Sequence, residues 1–209
     1  MKIKRLVKRL LRFHAVGKTL KKGGVKLCIG LDRSLISKGW ISVGMDGDPD
    51  ILEDAAKLAK VPDGCCEIIL ARHILEHLHY SGWGNERARK TIEILKRWGN
   101  KLRTGGKCIV CVPDLDLIVK VLKDNSEHYW NLENTVYKDV MSPFFGNMDN
   151  TFNAHSMAYN FSCLRYCMEK AGFTGIEKVK DPRLLLSDYN PSNLHWVSVN
   201  VVGVWKGQT

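Results

Sequence analysis

Along the first residues, Ile3, Leu6, Val7, Leu10 and Leu11 recur at helical spacing with Lys and Arg between them. That pattern predicts an amphipathic helix with one apolar and one basic face. Gly23-Gly24 interrupts it, and the apolar run from Val25 to Ile29 predicts a short buried strand ending at Gly30. Trp40 to Met45 alternates enough for a second strand before the turn residues Asp46-Gly47-Asp48-Pro49. Ile51 and Leu52 give a brief third strand that ends at Glu53 and Asp54, and Cys66 to Ala71 has the continuous apolar character of a strand buried on both faces.

Further on, Ala88, Ile92, Leu95 and Leu102 mark a helix that stops before a Gly105-Gly106 turn, and Lys107 to Val112 is another buried strand, closed by Pro113. Asp114 stands where it caps a helix carrying Leu115, Ile118, Val119 and Leu122. A later helix spans 162–171 with Gly172 in the capping position, and strands are expected over 175–179 and 195–205. Strands alternating with helices imply a mainly parallel sheet covered on both faces, and ligands of such sheets lie outside the carboxyl ends of the strands. The division is an arm over 1–22 and a single domain over 23–209. Residues 124–160, rich in Asn and aromatics, are expected to form a lid or substrate loop within it.

Charge sharpens this division. Of the 32 Lys and Arg residues, nine fall at or before Lys22 with no acid among them, which leaves 23 against 22 acidic residues in the remainder. The net charge of +10 therefore belongs to the arm. With 44% hydrophobic and 26% charged residues, and no apolar run near the roughly 20 residues of a membrane span, a soluble protein without a secretory signal is expected. Seven cysteines, mostly in apolar segments, favour reduced thiols in a cytosolic compartment. Cys108 and Cys111 have metal-ligand spacing, but in an extended segment they point to opposite faces, so no shared ion is expected.

Four stretches resemble, in order and spacing, the small class I S-adenosylmethionine-dependent methyltransferases. Lys26-Leu-Cys-Ile-Gly30 with Gly39-Trp-Ile-Ser-Val43 is similar to that family's first two strands. Glu53-Asp-Ala-Ala-Lys-Leu58 is similar to the acidic turn after the third. Ile68-Ile-Leu-Ala-Arg-His-Ile-Leu-Glu-His-Leu78 resembles the fourth strand and its HxLEH string, and Leu102-Arg-Thr-Gly-Gly-Lys107 with Val112-Pro-Asp114 resembles the segment around strand five. Ala171-Gly-Phe173 matches the AGF that precedes the closing hairpin. The resemblance implies a Rossmann-like three-layer sandwich with a seven-stranded, mainly parallel sheet and an antiparallel C-terminal hairpin strand. Two departures stand out: the usual Gly-x-Gly reads Gly30-Leu31-Asp32, and Gly44 occupies the place of a common Asp at the end of strand two.

From the resemblance, S-adenosylmethionine is the expected cofactor. Gly30 gives the turn, Asp46 accepts the ribose hydroxyls, and Asp54 receives the adenine amino group, with Asp32, Ala55 and Arg72 completing the cofactor-binding set. Asp46 reads equally well as a plain turn former. His73 and His77, four apart on an expected helix, share a face with Glu76 beside them; each is a general base for an incoming acceptor or a packing residue. A metal there lacks a third ligand beyond Glu76 or His79, so none is expected. His155 lies in a stretch resembling the family's FHxxGF segment beside the acceptor, and is a catalytic candidate or a loop histidine. Methyl transfer asks for alignment and exclusion of water, so it leaves few marks in a sequence. A small-molecule or saccharide-linked acceptor is implied by the resemblance. The alternative is a silent binding module of the same fold, recruited through its basic arm. For that arm, an anionic membrane surface or a protein partner ranks ahead of nucleic acid, because its apolar stripe is regular; a helix packed on the domain is the third reading.

Overall fold

The computed structural model describes residues 14–30, 35, 38–78, 85–124, 141–146, 153–180 and 198–207. Residues 1–13 of the arm, Asp32, His79 and positions 125–140 and 147–152 of the expected lid lie outside them.

Seven strands form one sheet: β1 (Val25–Ile29), β2 (Ile41–Gly44), β3 (Ile51–Leu52), β4 (Cys66–Arg72), β5 (Leu102–Pro113), β6 (Phe173–Lys178) and β7 (Ser198–Trp205). Their order is β3-β2-β1-β4-β5-β7-β6. β3, β2, β1, β4 and β5 run parallel, whereas β7 is antiparallel to both of its neighbours. This is the expected mainly parallel, seven-stranded α/β sheet with an antiparallel C-terminal strand. Helices α1 (14–22), α2 (Asn85–Lys101), α3 (Leu115–Asp124) and α4 (Phe161–Ala171) accompany it.

Period-two alternation distributes the strand residues between two faces. Leu27, Ile29, Ile69, Ala71, Cys108 and Val110 share a core with Leu95 and Trp98 of α2 and Leu164 and Met168 of α4. Their neighbours Cys28, Leu70, Ile109 and Cys111 pack instead with Leu35 and Trp40. Cys108 and Cys111 thus face opposite sides of the sheet, and burial raises both thiols, that of Cys111 to about 12. Buried on both faces, the central strands are continuously apolar; the edge strand β6 alternates and carries Glu177 and Lys178 outward.

Three local expectations are corrected. Leu102 opens β5 opposite Cys66 instead of closing α2, because it is buried against the sheet. Gly105-Gly106 lies inside that strand, in a bulge that lets Leu102 pair with Cys66 and Lys107 with Ile68. His73 and His77 do not share a helix: only a single 3-10 turn, Leu75–His77, follows β4. The two caps are as expected, with Asp114 Oδ1 accepting from the Asp116 amide and Gly172 closing α4; Asn160 caps the start of α4 by accepting from the Cys163 amide. Leu20 of α1 is buried and Val16 packs on the same core, so the last turns of the arm belong to the domain.

Candidate active site

Parallel pairing brings the carboxyl ends of β1 to β4 to one edge, where Ile29 stands level with Val43 and Ala71, and Gly44 with Leu52. What leaves that edge is Gly30, the Met45-Asp46 turn, Glu53-Asp54 and Arg72-His73. Gly30 has φ +92°, and a Cβ there would stand 2.8 Å from Ile74 Cδ1. The turn after β1 therefore needs a residue without a side chain. The Gly30 amide donates to Val43 O at 2.8 Å, which ties this turn to β2.

Both candidate carboxylates also serve their own turns. Asp46 is exposed, and its Oδ1 accepts from the Gly47 amide at 2.6 Å. Asp54 Oδ1 accepts from the Ala56 amide at 2.9 Å, and Oδ2 lies 3.9 Å from Lys57 Nζ. Trp98 anchors the Asp54 turn from beneath, its Nε1–H donating to Ala55 O at 2.8 Å. Ala55 is buried at this point. Asp50, absent from the expected set, binds the amide and hydroxyl of buried Ser42, both at 2.8 Å, and so fixes the β2–β3 connection.

Two side chains on this edge escaped sequence reasoning. Met45 and Leu52 are 61% and 46% exposed, although each adjoins a buried strand. Their signal in the sequence is slight, since Met45 reads as the last residue of a strand.

The histidines gather past β4. His73 adopts φ +50° and lies between two partners. Its Nδ1–H donates to Glu76 Oε1 at 3.2 Å, and the Ser198 hydroxyl at the start of β7 donates to its Nε2 at 3.1 Å. His77 turns the other way. Its Nδ1–H donates to Ala154 O at 3.2 Å, and its ring meets that of His155 edge-on at 4.6 Å between centroids. The His155 Nδ1–H donates to Pro143 O at 2.8 Å. Burial holds the His155 pKa below the ordinary histidine value, against the opposing pull of Glu76, so the neutral ring is favoured.

Glu76 lies under all three rings and is 1% exposed. Its backbone oxygen accepts from the Ser156 amide at 2.9 Å and the Ser156 hydroxyl at 3.0 Å, and Arg87 reaches Ser156 O from α2. These bonds clasp the 153–157 segment against the chain after β4. The structure thus joins His73, His77 and His155 through Glu76 and keeps them apart from Asp46 and Asp54, which leave other strand ends.

No family model matches the chain, and no curated protein matches it. Solved structures do. An S-adenosylmethionine-dependent methyltransferase from Archaeoglobus fulgidus is 16% identical, with a TM-score of 0.51 over 96% of this chain and 93% of that one. The CMeT domain of the citrinin polyketide synthase is 8% identical with a TM-score of 0.50, over 89% of this chain and 47% of that one. A possible exported protein from Bordetella parapertussis, 15% identical with a TM-score of 0.50, is covered over 66% of its length by 94% of this chain. The fold of this chain is the fold of S-adenosylmethionine-dependent methyltransferases.

Proposed function

We propose that the chain is an S-adenosylmethionine-dependent methyltransferase acting on a hydroxyl or amine of a small-molecule or saccharide-linked acceptor. One observation carries the reading: the Gly30 turn, Asp46, Asp54, Arg72 and the exposed apolar pair Met45 and Leu52 meet on one edge of a sheet with the methyltransferase fold. Met45 and Leu52 would hold the adenine, Asp54 its amino group, Asp46 the ribose hydroxyls, and Gly30 and Arg72 the methionine end. Ala55, buried at the Asp54 turn, borders the same pocket.

The acceptor enters over His73, His77 and His155. The cofactor, when bound, would supply an electrophilic methyl group to the acceptor's lone pair, with the carbon–sulfur pair returning to sulfur; a neutral imidazole would take the acceptor's proton. With Nδ1 bonded to a backbone carbonyl in both His77 and His155, Nε2 is the nitrogen with a lone pair to give.

None of the seven cysteines is in a disulfide, which supports a reducing, cytoplasmic setting. No described helix is long and apolar enough to cross a membrane. Lys18, Lys21 and Lys22 are exposed on α1 while Leu20 is buried, so the basic face stays open to an anionic membrane surface. A membrane surface is favoured over nucleic acid for this face, because the stripe Ile3, Leu6, Val7 and Leu10 supplies apolar anchors.

Calorimetry with S-adenosylmethionine and its demethylated product tests the cofactor. Saturable heat at one site per chain is expected at sub-millimolar ligand. Asp54→Ala weakens it about tenfold or more, roughly the 1.4 kcal/mol of a charge-assisted hydrogen bond. The absence of heat from a folded chain points to the silent binding module instead.

A further inference from the structure

Among the described residues, one group of three metal-ligating side chains has its donor atoms close together: Glu76, His77 and His155 each place one ligand atom within 4.8 Å of the others. Three features mark this group as built for an ion. First, each imidazole is fixed by an Nδ1–H bond to a main-chain carbonyl, Ala154 O for His77 and Pro143 O for His155. Such outer bonds set the tautomer and leave Nε2 as the ligand nitrogen. Second, Glu76 Oε1 is oriented by His73, which is oriented in turn by Ser198. Third, Glu76 Oε2 is the one buried side-chain nitrogen or oxygen among the described residues with no hydrogen-bond partner. A buried carboxylate oxygen left without a donor loses its hydration with nothing in return, and a cation makes good that loss.

We propose that Glu76, His77 and His155 form a binding site for a divalent first-row transition ion of the Zn2+ or Mn2+ class. Two imidazoles and one carboxylate suit such ions, whereas Mg2+ and Ca2+ take oxygen ligands. Bonds of about 2.0–2.2 Å put ligand atoms roughly 3–4 Å apart around an ion, so the group contracts by on the order of 1 Å when it closes. His77 and His155 are only half-buried, which leaves coordination positions open on the acceptor side. His73 is a positioning residue, acting through Glu76.

For its chemistry the site rests on the methyltransferase reading. The ion takes the lone pairs that otherwise accept the proton; in their place it would orient the acceptor hydroxyl and lower its pKa, so that the proton leaves to solvent water before the oxygen takes the methyl group. Ion binding itself does not depend on that reading. Untagged full-length chain is stripped with chelator and dialysed, and Co2+ is titrated while visible absorption is read, with Zn2+ as competitor and bound metal counted by mass spectrometry. One ion per chain and a visible Co2+ band displaced by Zn2+ are expected. His155→Ala and Glu76→Gln weaken binding a hundredfold or more, His73→Phe weakens it about 10–100-fold through Glu76, and Cys163→Ser leaves it unchanged. If Glu76→Gln does not fold, as judged by its near-ultraviolet circular dichroism, His155→Ala and His77→Ala decide.

No stoichiometric ion at micromolar Zn2+ or Co2+, or binding that survives His77→Ala and His155→Ala together, overturns the proposal. Calorimetry with S-adenosylmethionine on the stripped chain is read separately, so loss of the cofactor reading and loss of the ion site give different results.

Discussion

Cys163 sits one helical turn before Cys167 on α4, half-buried, and the hydrogen bond from Cys167 brings its thiol down to about 7. At pH 8 it is therefore mostly thiolate, and at pH 6 mostly thiol, whereas burial keeps Cys108 and Cys111 protonated throughout. Iodoacetamide is expected to label Cys163 first, with a rate that climbs through about pH 7, as followed by peptide mass spectrometry. Cys167→Ala moves that midpoint up toward the ordinary thiol range. The residues of the histidine group were only half legible in the sequence. His73, Glu76 and His77 stand together in one short string, and their chemistry could be named from it. The fourth member, His155, joins from a distant loop clasped by Ser156 and Arg87, contacts that no spacing rule reports. Met45 and Leu52 were missed for another reason: apolar residues at strand ends read as core, and only the sheet edge shows them open.

Among the elements, α2 presents a test of sign. Replacing a helical glycine by alanine ordinarily stabilises by about 0.5–1 kcal/mol. At Gly99, however, a Cβ would stand 2.3 Å from the ring of Trp205, which is buried on β7 and packed against Phe173 with centroids 5.1 Å apart. Overpacking of about 1–3 kcal/mol outweighs the helix gain. Gly99→Ala is therefore expected to lower the urea midpoint by roughly 1–2 kcal/mol of stability, and a raised midpoint would refute the close α2–β7 contact. Elements with strong periodicity, such as β4, β5, α2 and α4, could be placed from their patterns to within a few residues. The chain after β4 could not, because His73 at φ +50° breaks off the helix that the four-residue histidine spacing implied. Leu102 was likewise a matter of partner: a leucine extends a helix or starts a strand equally well, and pairing with Cys66 decides.

For the molecule as a whole, the last turns of the basic arm are part of the domain. Leu20 is anchored in the core at a gain of roughly 1.5–3 kcal/mol, so removing all of 2–22 confounds docking with unfolding. Removing residues 2–13 is the cleaner experiment. It is expected to reduce co-sedimentation with anionic liposomes several-fold while leaving the urea midpoint and cofactor heat unchanged, and undiminished sedimentation would retire the membrane role. At this scale the sequence was most informative: a run of alternating strands and helices specified the mainly parallel, layered sheet.

The position of β7 has one more consequence. It follows β6 in the chain yet lies between β5 and β6 in the sheet. As the polypeptide leaves the ribosome, β6 emerges before β7, its one partner among the described residues, and β5 presents an open flank until Ser198–Trp205 arrives to fill the gap. Completion of the sheet thus waits on late-made residues, and a nascent chain stalled short of them carries two bare strand edges for a chaperone to shield.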